Sequence, residues 1–309
     1  MIKYIIQRII YLVVTLFFII SITFILLQFM PGSPFNDIKL STEQKAMLNQ
    51  KYGLSDPLPV KYVRYVNNVL HGDLGTSFKY NNQPVSKMIM ERLKPSALIG
   101  AQALVLGAVV GIILGSVAAF KRNSIWDHVT TLFVVVGVSI PSFVIAALMQ
   151  YYVAVVLRAV PVLYIEGNFA STILPTIALA VLVIASTAIY MRTELIEVLK
   201  FDFILLARSK GLSRTSIAVK HALRNALIPV ITILGPLVVG LISGSTVVER
   251  IFGVPGLGNL IVTSIQTNDY FVILGEGLVF SFLFLFVMLI VDILYGVIDP
   301  RIRLAGDSE

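Results

Sequence analysis

The stretch ALIGAQALVLGAVVGIILGSVAAF, residues 97–120, runs without one charged side chain, and Lys121 and Arg122 follow it at once. A bilayer core takes about 20 helical residues to cross. A helix also satisfies its own backbone hydrogen bonds there, as hydrocarbon demands. The stretch therefore reads as a transmembrane span. Gly107, Gly111 and Gly115 recur every four residues along it, and small residues at that spacing let helix backbones approach closely. The expectation is packing within the chain, with part of the surface open to a second subunit. Gly240 and Gly244 repeat the pattern further on.

Working outward, five more apolar blocks appear, giving expected spans at residues 9–29, 97–120, 128–156, 173–191, 228–248 and 272–298. The whole chain of 309 residues is 57% hydrophobic and 13% charged, against about 25% charged for soluble chains. The class is an all-α polytopic membrane protein with six transmembrane helices. The first block follows Lys3 and Arg8 as a signal peptide would. It is long for one and ends in FMPGSP without a small-x-small cleavage site, so it reads as a retained first span. The third block is overlong and contains Pro141, which predicts tilt, a kink there, or an end lying in the interface.

The net charge of +7 finds its first explanation in topology. With the N-terminus inside, the inner segments hold Lys3, Arg8, Lys121, Arg122, Arg192, Lys200, Arg208, Lys210, Arg214, Lys220, Arg224, Arg301 and Arg303. The two short outer loops hold Arg158 and Arg250. Cytoplasmic loops carry the basic excess, so both termini are expected inside. The long segment 31–95 is outside and too long to count. Within it STEQKAMLNQKYGL offers a Ser41 N-cap with Gln44 in the capping-box position, for a helix ending near Gly53. PVKYVRYVNNVLHG offers a second helix with Tyr62, Tyr65, Val66, Val69 and Leu70 on one face. GDLGTSF then turns. The expectation is a small extracytoplasmic helical subdomain between the first two spans.

ARSKGLSRTSIAVKHALRNALIP, residues 207–229, holds five Lys or Arg and no acid. Gly211 suits the left-handed residue that ends a helix, and Ser213 suits the cap of the next. Val219, Ala222, Leu223, Ala226 and Leu227 then form an apolar face at helical spacing. A short surface helix over residues 202–210 is expected to offer Phe203, Leu206, Ala207 and Arg208. A plain positive-inside loop and a DNA-reading helix-turn-helix are the alternatives. The latter suffers from having both ends tied into spans.

The segment FDFILLARSKGLSRTSIAVKHALRNALIPVITILG at 201–235 resembles the cytoplasmic EAA loop of ABC-importer permeases, in the form used by the oligopeptide/dipeptide family and its B-type subunit. Leu205 stands where the general motif has Glu, and His221 and Arg224 where it has Ile and Pro. MPGSPF at 30–35, KYGLSDPLPVKYVRYV at 51–66, GDLGTSF at 72–78, GVSIPSF at 137–143, IFGVPGLGNL at 251–260, NDYFVILG at 268–275 and VDILYGVIDPRIRL at 291–304 resemble the same family in order. The resemblance implies a type I ABC importer permease fold in a bacterial cytoplasmic membrane. It divides the chain into a first helix (1–30), an outer subdomain (31–95), a permease domain (96–298) with a coupling loop (193–228), and a cytoplasmic tail (299–309). It implies a coupling helix that seats in an ATPase subunit, carried here by Asp202, Phe203, Leu206, Ala207, Arg208, Lys210 and Gly211. Expected partners are a second homologous permease, two cytoplasmic ATPases that bind the ATP and Mg, an extracytoplasmic peptide-binding protein, peptide substrate and lipid, with no nucleic acid. Dipeptides, a nickel chelate, glutathione or signalling peptides are alternative cargoes.

The residues themselves agree with a borrowed ATPase, since no G-x-x-x-x-G-K-[ST] occurs. There is no cysteine, and His71, His128 and His221 show no metal-ligand spacing, so neither a metal nor a cofactor is expected in this chain. A carrier would call for internal repeats and ion-site acids, and a membrane enzyme for catalytic spacings. Neither pattern is present. Ionisable residues inside spans are candidate functional groups. Asp292 is expected to pair with a basic residue such as Arg8 or Arg192. Glu276 reads as interfacial or as facing the pathway, with Ser243, Ser245 and Thr246. The loop ERIFGVPGLGNLIVTSIQTNDY, with a turn at Pro255–Gly256 and an amphipathic helix bearing Leu260, Ile261, Ser264 and Ile265, reads as an outer gate or a plain interfacial helix.

Overall fold

The computed structural model describes residues 2–35, 41–51, 53–242 and 245–298, so Ser243, Gly244 and the 299–309 tail lie outside the described residues. The described residues are built from helices alone, apart from one isolated bridge between Thr76 and Pro84. Five helices are long and apolar enough to cross a membrane, and a sixth crossing counts if one bent pair is a single span.

The first span is α1 (Ile2–Gln28). Outside it follow α2 (Thr42–Lys51) and α3 (Leu58–Leu70). The capping box forms as expected: the Ser41 amide donates to Gln44 Oε1 at 2.9 Å, and the Gln44 amide donates to Ser41 Oγ at 3.2 Å. In α3, Tyr62, Tyr65, Val66 and Val69 pack against Phe24 and Leu27 of α1. Leu70 departs from the expected face and is exposed, because it is the last residue of the helix and overhangs the core.

The second span, α4 (Val85–Phe120), starts well before residue 97 and runs through Pro95. Its 36 residues reach about 54 Å, far more than the roughly 30 Å of hydrocarbon, so its first turns belong to the outer layer. The third block is α5 (Ile125–Ser139) and α6 (Ser142–Met149), the latter extended by a π turn, Gln150–Val156. The two arms are bent by 99°. Pro141 is the cause: it offers no amide and disfavours the helical conformation at the residue before it, and Ile140 lies extended at φ −88, ψ 121.

The fourth span, α7 (Ile173–Val198), runs past residue 191 and leads into α8 (Asp202–Ser209). The fifth is reached through α9 (Arg214–Ser216), a π turn (Ile217–Leu223) and α10 (Arg224–Ile242). It ends earlier than residue 248. After it come α11 (Thr246–Phe252) and α12 (Leu257–Gln266), then the last span, α13 (Tyr270–Ile298).

The glycine stripe is internal packing. A Cβ on Gly107 would strike Val183, one on Gly111 would lie 2.6 Å from Thr187 Cβ, and one on Gly115 2.5 Å from the Ala188 carbonyl oxygen. All three neighbours belong to α7, so α4 and α7 form the closely packed axis of the molecule. Gly240 differs, since a Cβ there would meet nothing within 4 Å.

Candidate functional site

The basic hairpin, expected in the cytoplasm, is assembled by capping chemistry legible in its residues. At the end of α8 the Gly211 amide donates to the Arg208 carbonyl and the Leu212 amide to the Ala207 carbonyl. This is the Schellman arrangement, which requires a left-handed residue, and Gly211 supplies it at φ +74. Ser213 then caps the next turn, accepting the Ser216 amide at 3.2 Å.

Along α8, Ile204 and Ala207 face inward. They pack into a cluster with Ala119 of α4, Met191, Leu195 and Val198 of α7, and Ile217, Ala222, Ala226 and Val230. Ala207 is therefore buried, a correction to its expected place on the surface, because it sits three residues from Ile204 on the same helix face. Asp202, Phe203, Leu206, Arg208, Lys210 and Gly211 are exposed. So are Phe201, Leu205 and Leu212, with Leu205 at 66% and Leu206 at 55%. The outer face of α8 is thus apolar with a basic rim.

The expected apolar face of the following helix needs a correction as well. Val219 is 59% exposed, whereas Ile217 is buried. The π turn is the reason. One extra residue per turn moves the buried register from Ile217 to Ala222, five residues on, and only then to Ala226 and Val230 at fours. No α-helical wheel carries that signal.

Near the hairpin, Arg192 on α7 grips Asp127 on α5. Its Nε donates to Oδ1 at 2.6 Å and its Nη2 to Oδ2 at 2.9 Å. Arg192 is thus paired with Asp127; the side chain of Asp292, expected to pair with a basic residue such as Arg8 or Arg192, lies outside the described residues.

At the outer end the expected gate residues divide. Pro255 is exposed and Gly256 buried. A Cβ on Gly256 would strike the Glu249 carboxylate and Ser96 Oγ, which is why the turn takes glycine. Ser96 on α4 donates to Glu249 Oε1 at 2.6 Å and accepts the Leu257 amide at 3.0 Å. Glu249 Oε2 accepts the Asn259 amide at 3.1 Å. The carboxylate therefore caps the start of α12, where orphan amides favour negative charge. Burial pushes the Glu249 carboxyl above its ordinary range, and the Ser96 hydroxyl, the Asn259 and Gly258 amides and the Arg92 charge pull it back. Ser245 and Thr246 stand just before and at the start of α11 rather than inside a span, and the Thr246 hydroxyl donates to the Gly258 carbonyl at 2.9 Å. On α12, Leu260 and Ser264 are buried and Ile261 half-buried, while Ile265 faces out.

A second buried acid ties down the neighbouring turn. Asp269, at the start of α13, accepts the Ser77 hydroxyl and the amides of Phe78 and Lys79 at 3.1 and 3.3 Å. GDLGTSF is thereby fixed to NDYF.

Glu276 is fully buried within this chain. Its turn of α13 packs on α4, since a Cβ on adjacent Gly275 would meet Val85 and Ile89. Glu249 and Asp269 escaped the sequence reading. Both lie in the loop between the fifth and sixth expected spans, so the in-span signal that singled out Glu276 did not reach them.

Residues 111–304 match the family model described as the binding-protein-dependent transport system inner membrane component, and residues 1–99 match the N-terminal membrane-component model of the same systems. The chain is 43% identical over 304 residues to the dipeptide transport system permease protein DppB of Lactococcus lactis subsp. cremoris, covering 98% of this chain and 100% of that one. It is 40% identical over 305 residues to the oligopeptide transport system permease protein OppB of Salmonella typhimurium, with the same coverage. DppB of Bacillus subtilis is 39% identical over 308 residues, 98% of this chain and 99% of that one. A solved structure of the MetNI methionine ABC transporter in inward facing conformations aligns at TM-score 0.48 and 17% identity, covering 72% of this chain and 94% of that one.

Proposed function

Because the chain belongs to the family of binding-protein-dependent transport system inner membrane components, we propose that it is one permease subunit of an ATP-driven importer of oligopeptides. It pairs with a second, homologous permease. Two cytoplasmic ATPases supply the ATP and Mg sites, and an extracytoplasmic binding protein delivers the peptide. Both termini lie in the cytoplasm. The relatives named above, matched end to end, support the peptide cargo, and the 43% identity to a dipeptide permease favours dipeptides as the second reading.

The observation that carries the reading is the face of α8. Phe203, Leu205 and Leu206 stand exposed beside Arg208 and Lys210 on a helix whose other face is packed. Such a patch, apolar at the centre and charged at the rim, has the make-up of a protein interface. Nucleotide-driven closure of the ATPases would push α8 and its counterpart in the partner permease together. The packed spans would then rock between inward-open and outward-open arrangements.

The test is purification of the tagged chain from its native membrane in mild detergent. Two ATPase polypeptides and a second permease are expected with it. A chain that came out alone and moved solute in liposomes without ATP would overturn the proposal.

A further inference from the structure

A push on α8 reaches α7 directly, because Ile204 and Ala207 pack on Met191, Leu195 and Val198, and the chain joins the two helices through residues 199–201. How the push travels on to the bent third block is a separate matter. The described packing between α5 and α7 is smooth. Val134 meets Ala185 and Ala188, and a Cβ on Gly137 would lie 3.1 Å from Ala185 Cβ. Lipid provides no hydrophobic force to hold such faces in register, so they can slide and rotate against each other.

The Asp127–Arg192 pair is different in kind. Arg192 neighbours Met191, in the turn of α7 that carries α8. Its two donors engage both oxygens of Asp127 in a fork, and a bidentate pair fixes orientation as well as distance. Asp127 Oδ2 also accepts the Asn123 amide at 2.9 Å, in the left-handed turn between α4 and α5 (Asn123 φ +62). One nearly buried carboxylate thus binds the α4–α5 turn and the start of α5 to α7. We propose that Asp127 and Arg192 are positioning residues that transmit movement of the cytoplasmic hairpin through α7 to α5 and its bend at Pro141. This rests on the importer reading above.

The experiment uses the complex that co-purifies with the chain, reconstituted in liposomes, and follows ATP hydrolysed and peptide taken up together. In Asp127→Asn, which keeps the side-chain shape, hydrolysis should stay within about twofold while uptake falls about tenfold, the size of a typical coupling between sites. The double swap Asp127→Arg with Arg192→Asp should recover most of the uptake. The sequence lacks cysteine, so spin labels at Thr131→Cys on α5 and Tyr190→Cys on α7 report their separation. One distance should persist through nucleotide-free and ATP-trapped states with Asp127 present, and should spread in Asp127→Asn. An unchanged ratio of ATP to peptide, or hydrolysis and uptake falling in proportion, would overturn the positioning role. So would label distances that ignore the substitution. A complex with native Asp127 that took up no peptide on ATP addition would sink the importer reading instead, while the label distances would still judge the clamp.

Discussion

The basic hairpin at one end of the molecule and the turns at the other end are held by different chemistry. At the outer end, buried carboxylates do the tying: Asp269 collects Ser77 and two amides, and Glu249 collects Ser96 and the first turn of α12. Each bond is directional, so these turns are held at fixed angles. The hairpin at the opposite end rests on apolar packing of Ile204, Ala207, Ile217 and Ala222, and it leaves phenylalanine and leucine side chains exposed on α8. Apolar contact is non-directional and tolerates sliding. The comparison teaches that directional polar bonds fix the angles of the turns they close, whereas the hairpin's own contacts are apolar and the polar tie nearest it, Asp127 to Arg192, lies beside it on α5 and α7.

That contrast can be broken most severely inside the hairpin. Ala207→Glu puts a carboxylate into the cluster beneath α8, where an unpaired charge is very costly. It should abolish both ATPase recruitment and protection of the hairpin from protease. Leu206→Glu, on the opposite face, should weaken recruitment by about 2 kcal/mol, roughly thirtyfold, as loss of an interface anchor does. It should leave protease protection unchanged. Equal behaviour of the two variants would contradict the inward and outward faces assigned to α8.

A smaller but still clear effect is expected at the outer end. Asp269→Ala strands the Ser77 hydroxyl and the Phe78 amide, at about 1–3 kcal/mol for each polar group left buried and unpaired, while the Lys79 amide keeps its bond to Ser77 Oγ. The purified chain should lose thermal stability and become cleavable near 72–80, while ATPase recruitment persists. If recruitment collapsed along with the outer fold, the two ends would not be separable bodies.

The finest test uses pH. The folded chain holds the Glu249 proton more tightly than the unfolded chain does. The stability this contributes is full below the ordinary carboxylate value of 4.5 and is lost as pH rises through the raised folded value. Glu249→Gln removes the titration, so its thermal midpoint relative to the native chain should rise between pH 5 and pH 8. A difference independent of pH would mean that the clasp gains nothing from a proton.

Much of the architecture was legible in the residues because lipid leaves few options. An apolar run of sufficient length must become a helix, so the spans followed from composition alone, and the bend at Pro141 followed from a missing amide. The capping box at Ser41 and Gln44 and the helix stop at Gly211 were equally local. Boundaries failed where helices extend beyond the hydrocarbon, as at Val85 and Val198. There the apolar signal stops while the helix continues on tertiary support.

The sequence by itself therefore determined the class, the expected crossings and the family. Each of these depends on local composition or on motifs read in order. Tertiary structure decided which face of α8 is buried, that a π turn trades Val219 for Ile217, that Arg192 takes Asp127, and that Glu276 is fully buried within the chain. Those outcomes depend on which distant helix supplies the neighbouring atoms. Arg192 and Asp127 stand 65 positions apart, and only the packing of α5 on α7 brings a carboxylate within reach of the guanidinium.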